Sequence, residues 1–130
     1  MQLKRILILG FFVVLVVLAV LLVVVSCVSP AKEHLRQGDE YVAQKLWDEA
    51  ISKYSEAIEA VPDLAIAYYK RGRVYSELGR FGSAIADYDK AIVLAPRLAE
   101  AYNGRGYVYA RQSQFDRAIA DYDKAIELDP

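Results

Sequence analysis

Apolar and polar positions follow two different patterns along this chain. From Ile6 to Val25, twenty residues run without a charge, and every one but Gly10 is apolar. Beyond residue 30 the apolar residues fall at helical spacing instead. Phe81, Ala84, Ile85, Tyr88, Ala91 and Ile92 are separated by three, one, three, three and one, which aligns them on one face of an amphipathic α-helix. Ser83, Asp87, Asp89 and Lys90 fall on the other, solvated side. The preceding segment, Ala65–Leu78, carries Tyr68, Val74, Tyr75 and Leu78 with Gly72 between them. A mid-helix glycine is costly unless another helix has to come close. Gly72 therefore predicts a tight pairing against the small Ala84 and Ala91. Gly79 suits the left-handed position that stops the first helix. Lys45 and Ser113 occupy the same place elsewhere and predict looser turns. Pro62 and Pro96 cannot continue a helix, and Asp63 is placed to cap the next one.

The pattern recurs every 34 residues. Ala65–Pro96 and Ala99–Pro130 share 19 of 32 positions, and Ala31–Pro62 matches Ala65–Pro96 at nine. The matches are structural positions: Gly38, Gly72 and Gly106; Tyr41, Tyr75 and Tyr109; Ala50, Ala84 and Ala118; Tyr54, Tyr88 and Tyr122; Ala57, Ala91 and Ala125; Pro62, Pro96 and Pro130.

This period and these residue types resemble the tetratricopeptide repeat. Two departures stand out: His34, Tyr68 and Tyr102 replace the family's frequent early Trp, and Gln37, Arg71 and Arg105 its Leu before the glycine. The resemblance implies an all-α fold of three helix–turn–helix repeats, 31–64, 65–98 and 99–130, stacked in a right-handed superhelix with the first helices lining a concave face. The expected helices are 32–44 and 47–60, 65–78 and 81–94, 99–112 and 115–128. Carried over position by position, the groove would be lined by Leu35, Asp39 and Val42; by Tyr69, Arg73 and Glu77; and by Asn103, Tyr107 and Arg111. Rigid aromatics and arginine forks are frequent interface anchors, so a protein or peptide partner is expected there. Some chaperone-tail receptors of the family clamp a terminal carboxylate with basic and asparagine side chains. The matching positions here are Leu35, Asp39, Lys70, Glu100 and Gly104, of which only Lys70 could help.

Residues 1–26 form a separate unit, joined to the repeats by a short linker at 27–30. Lys4 and Arg5 ahead of a long apolar run read as a signal sequence. Twenty apolar residues also match a bilayer core of roughly 30 Å. The run closes at Val24-Val25-Ser26-Cys27, which resembles a bacterial lipobox and makes Cys27, the chain's one cysteine, the candidate lipidation site. A cleaved lipoprotein and an uncleaved anchor both remain open. Either puts the repeats outside the cytoplasm if the short basic N-terminus stays inside.

Composition narrows the functional classes. Without residues 1–26 the chain has 14 basic and 17 acidic residues, a net charge of −3. No basic cluster offers a footprint for nucleic acid. A single cysteine forms no internal disulfide. No phosphate loop, paired-cysteine zinc spacing or nucleophile elbow is present. His34, the one histidine, takes the packing position of Tyr68 and Tyr102. The pairs Asp87/Asp89 and Asp121/Asp123 recur with the repeat and read as a solvated helix face rather than a carboxylate dyad. Neither an enzyme nor a cofactor or metal site is expected. The leading expectation is a membrane-tethered scaffold that binds a protein segment. Alternatives are a self-assembling component of an envelope complex and a signal-anchored receptor with cytosol-facing repeats. The last helix keeps the interior pattern at Ala118, Tyr122 and Ala125, so self-association through repeat 3 is also expected.

Overall fold

Each 34-residue unit folds as a pair of helices, because two amphipathic segments joined by a short turn bury their apolar stripes against each other. The computed structural model describes residues 1–26 and 29–130; Cys27 and Val28 lie outside the described residues. Helix α1 spans Gln2–Ser26. The repeats comprise α2 (Pro30–Ala43) and α3 (Trp47–Ala60), α4 (Ala65–Glu77) and α5 (Phe81–Leu94), and α6 (Ala99–Arg111) and α7 (Phe115–Leu128). Every helix is contacted by its partner within the unit, and α3 packs on α4 as α5 does on α6.

The core lies where the recurring small residues meet the recurring tyrosines. Ala50, Ala57, Ala84, Ala91, Tyr54 and Tyr88 are all at most 2% exposed. Gly38 is the closest approach within a unit: a Cβ there would stand 2.4 Å from the Tyr54 ring. At Gly72 the corresponding distances, to Tyr88 and the Asp87 Cβ, are 3.2 Å. The glycines are therefore what allow each tyrosine ring to pack directly against the first helix.

The turns are not looser where glycine is missing. Lys45 and Ser113 adopt φ of 58° and 59°, beside 67° for Gly79. The closing bonds also match. Leu46, Arg80 and Gln114 donate their backbone N–H to the carbonyls of Tyr41, Tyr75 and Tyr109 at 2.9, 2.8 and 2.8 Å. Packing on either side imposes the left-handed residue, and the two non-glycine side chains bear its steric cost. Asp63 is not a cap: Leu64 holds that position in α4, with no side-chain bond to the helix.

The acidic pairs divide instead of facing solvent together. Asp87 and Asp121 are each 6% exposed. Arg71 donates from Nε and Nη2 to Asp87 at 2.8 Å each, and Arg105 does the same to Asp121 at 2.8 and 2.7 Å. The two guanidinium groups are flanked by tyrosine rings, Tyr68 and Tyr75 around Arg71 and Tyr102 and Tyr109 around Arg105, at 5.7–5.9 Å from their centroids. The remaining nitrogen reaches the preceding unit: Arg71 Nη1 donates to Ser55 Oγ at 2.9 Å and Arg105 Nη1 to Asp89 Oδ1 at 2.6 Å. Helical periodicity alone misassigned Asp87 because it saw one helix and not the arginine on its neighbour. Asp121→Ala, which leaves Arg105 half-paired in a buried setting, should cost about 3 kcal/mol. Asp123→Ala, at an exposed position, should change stability by less than about 0.5 kcal/mol. Denaturant melts of the two variants side by side check the contrast.

Candidate peptide groove

The first helices of the three units stand next to one another, with α4 directly touching α6. Their shared face contains two adjoining cavities. One, of about 460 Å³, is bounded by Asp39, Val42, Trp47, Tyr54, Lys70, Arg73, Val74 and Glu77. The other, of about 280 Å³, is bounded by Tyr69, Arg73, Ser76, Glu77, Tyr88, Glu100, Asn103, Gly104, Tyr107 and Tyr122. Arg73 and Glu77 border both and make them one continuous trough. Asp39, Val42, Tyr69, Arg73, Glu77, Asn103 and Tyr107 are thus brought together. Leu35 borders neither cavity; it packs half-buried among Ala31, Ala57, Ala50 and Tyr54. Arg111 also lies outside them. Its guanidinium sits 5.6 Å from the Phe81 ring centroid and donates to the Tyr107 hydroxyl at 2.7 Å.

The chemistry differs along the trough. At the α2 end Asp39 is already occupied, accepting from the Tyr54 hydroxyl at 2.7 Å and from Lys70 Nζ at 2.7 and 2.8 Å. That engages the only cation at the carboxylate-clamp positions, and Glu100 and Gly104 supply none. Further along, Arg73 stacks 5.8 Å from the Tyr69 ring centroid, and the Tyr69 and Tyr88 rings meet at 6.2 Å. Among the described residues neither Arg73 nor Glu77 has an ion-pair partner. Gly104 replaces the Lys70 of the preceding unit, and a Cβ there would come 2.6 Å from Tyr88 Cζ. Only glycine lets the Tyr88 phenol reach the trough wall.

Reading the groove from first-helix positions missed the floor. Trp47, Tyr54, Tyr88 and Tyr122 come from second helices, and their recurrence as packing residues concealed that their edges also face the trough. His34 sits elsewhere, its Nδ1 3.0 Å from the Glu56 carboxylate.

A tetratricopeptide-repeat family model matches residues 99–130, and a TPR-repeat model matches 38–79 and 72–113. The chain belongs to the tetratricopeptide-repeat family. Solved structures agree. The first TPR of Spaghetti (RPAP3) bound to the HSP90 peptide SRMEEVD is 29% identical, with a TM-score of 0.75 over 77% of this chain and 79% of that one. The Arabidopsis OM64 TPR domain is 28% identical, with a TM-score of 0.76 over 77% and 83%. The TPR2B-domain:pHsp70-complex of yeast Sti1 is 30% identical, with a TM-score of 0.75 over 77% and 80%. No curated protein matches the chain.

The buried phenols of this TPR domain give it an alkaline signature. Burial, with the Asp39 carboxylate beside Tyr54 and Tyr69 beside Tyr88, pushes both hydroxyls above the ordinary phenol value of about 10. A raised folded pKa contributes stability that is complete below the unfolded value and lost as pH rises through the folded one. Stability should therefore decline above about pH 10. In a tyrosinate absorbance titration, two of the ten tyrosines should ionise only as helicity is lost. All ten titrating together with the helices intact would contradict this burial.

Proposed function

We propose that this chain is a membrane-tethered, non-enzymatic scaffold that holds an extended segment of another protein in the trough of its three repeats, outside the cytoplasm. The observation that carries the binding half is the continuous trough, where Tyr69, Tyr107, Arg73 and Glu77 offer aromatic faces and charges that no ion pair within the described chain consumes. Two of the similar TPR structures are complexes, one with an HSP90 peptide and one with pHsp70. Partner class carries over better than ligand chemistry. With Lys70 bound to Asp39 and no second cation at the clamp positions, an acidic tail ending in a free carboxylate gains little here. A segment with an apolar or aromatic anchor suits the Tyr69–Tyr88–Tyr107 wall better.

The tether rests on α1. Its Gln2–Ala19 stretch has a mean hydropathy of 2.2 and no buried residues, so it is long and apolar enough to cross a bilayer. Attachment runs either through this helix left uncleaved or through lipid on Cys27. Firm anchoring by lipid alone takes two acyl chains or an added signal.

Replacing Tyr69 and Tyr107 together with Ala should weaken partner capture from membranes by on the order of tenfold or more, as expected for two aromatic anchors. Helicity should hold, and the melting temperature should fall only modestly, through Tyr69, which is half-buried against Tyr88, rather than through the exposed Tyr107. Undiminished crosslinking of the same partner to the double variant would move the binding site off the trough. For the tether, mass spectrometry of the native protein should find either an acylated chain starting at Cys27 or an intact chain from Met1. Cys27→Ser should release the first and leave the second in the membrane. A processed chain that carries no lipid and washes off with salt would overturn the tether.

A further inference from the structure

The two deepest tyrosines, Tyr54 and Tyr88, are both 2% exposed and hold the same place in successive units. Their hydroxyls fare differently. Tyr54 donates to Asp39 at 2.7 Å, and Lys70 closes the group by donating to the same carboxylate. One repeat on, Arg73 stands where Asp39 was and Gly104 where Lys70 was. A guanidinium has donors only, so it offers the Tyr88 hydroxyl no acceptor, and Arg73 turns instead onto the Tyr69 ring. The hydroxyls of Tyr54, Tyr68, Tyr102 and Tyr107 all make hydrogen bonds, whereas that of Tyr88 makes none among the described residues.

That unpartnered group points at the trough. A Cβ on Gly104 would stand 2.8 Å from the Tyr88 oxygen, and Tyr88 and Gly104 border the same 280 Å³ cavity. Leaving a buried hydroxyl without a partner is costly, and here both residues that satisfied its counterpart have been exchanged. Burial, with Tyr69 beside it, raises the phenol above its ordinary value, so it keeps its proton and remains a donor.

The acceptor has to come from the ligand. Two carboxylates, Glu77 and Glu100, border the cavity against one cation, Arg73, which disfavours an anionic acceptor. A neutral carbonyl suits it better. An extended segment presents one main-chain carbonyl about every 3.3 Å, so one falls within reach of a fixed hydroxyl whichever side chains anchor the segment. We propose, on the reading of the trough as the binding site, that the Tyr88 hydroxyl donates a hydrogen bond to a main-chain carbonyl oxygen of the bound segment. Tyr88 then contributes affinity that does not depend on the ligand's sequence, and the neighbouring aromatic wall supplies the selectivity.

Linear peptides selected by display from a random library against the full chain in lipid nanodiscs serve as probes, retained where Tyr69→Ala/Tyr107→Ala abolishes their binding. Tyr88→Phe keeps the ring and removes only the hydroxyl. It should weaken each such peptide about tenfold, whatever its sequence. Replacing the peptide's amides with esters one at a time weakens each carbonyl as an acceptor. At one position, ester and Tyr88→Phe together should do no more harm than either alone. Without ligand, Tyr88→Phe should melt no lower than the wild type, because the lost hydroxyl has no partner, while Tyr54→Phe should melt lower. Full affinity of Tyr88→Phe for peptides that still need Tyr69 and Tyr107 overturns the role of Tyr88 and leaves the trough standing. Coupling to a side-chain amide or carboxylate of the peptide, rather than to its main chain, overturns it too, as does a melting loss in Tyr88→Phe equal to that in Tyr54→Phe. A selection that yields no peptide dependent on Tyr69 and Tyr107 removes the trough as the binding site, and the role of Tyr88 with it.

Discussion

Most of this structure depends on one contact, the wedging of a second-helix tyrosine against glycine. Tyr88 is the fullest case. Its ring lies 3.2 Å from where Gly72 would carry a Cβ and 2.6 Å from the same point on Gly104 of the next unit. The single ring therefore sets the spacing inside the second repeat, the spacing between the second and third, and the wall of the trough. Close-packed interiors tolerate little added volume, so stacking and groove shape cannot vary independently here.

Around that wedge, the arginine–aspartate latches decide how units join. Arg71 and Arg105 each fasten the two helices of one unit and extend a nitrogen to the unit before. Flanking tyrosine rings shield them from water, which strengthens the charged bonds. The first unit lacks the device, having Gln37 and Lys53 in those places, and Gln37 instead donates to Glu33 on its own helix. Its outer edge is accordingly polar. The array is directional, polar along its α2 edge and apolar along the described α7 face.

The same directionality organises function. The trough runs across the first helices and changes from an occupied Asp39–Lys70 pair to a wall of tyrosines with Arg73 and Glu77, which have no ion-pair partner among the described residues. Affinity in such a site comes from a few desolvated anchors rather than from total area. An N-terminal tether would raise the local concentration of whatever the trough holds without adding a contact. The cavity beside α7 shares Glu100, Asn103 and Tyr122 with the trough and continues it.

The 34-residue period and the helix pairs were legible from the sequence, because each is a matter of spacing along a helix of known pitch; the nine groove positions came from the family resemblance, and seven of them border the trough. The helix bounds follow to within two residues, since proline and apolar phase mark them locally. What the tertiary structure alone decided are relations between helices. Leu35 turned inward because Ala57 and Ala67 leave room beside it, and Asp87 left solvent because Arg71 stands opposite on the neighbouring helix. Lys45 and Ser113 took a glycine conformation because packing on both sides leaves the chain no other path. Periodicity reports which face of a helix a residue occupies. It carries no record of which side chain will meet that face across the gap, and that meeting determines whether a charge is solvated or buried.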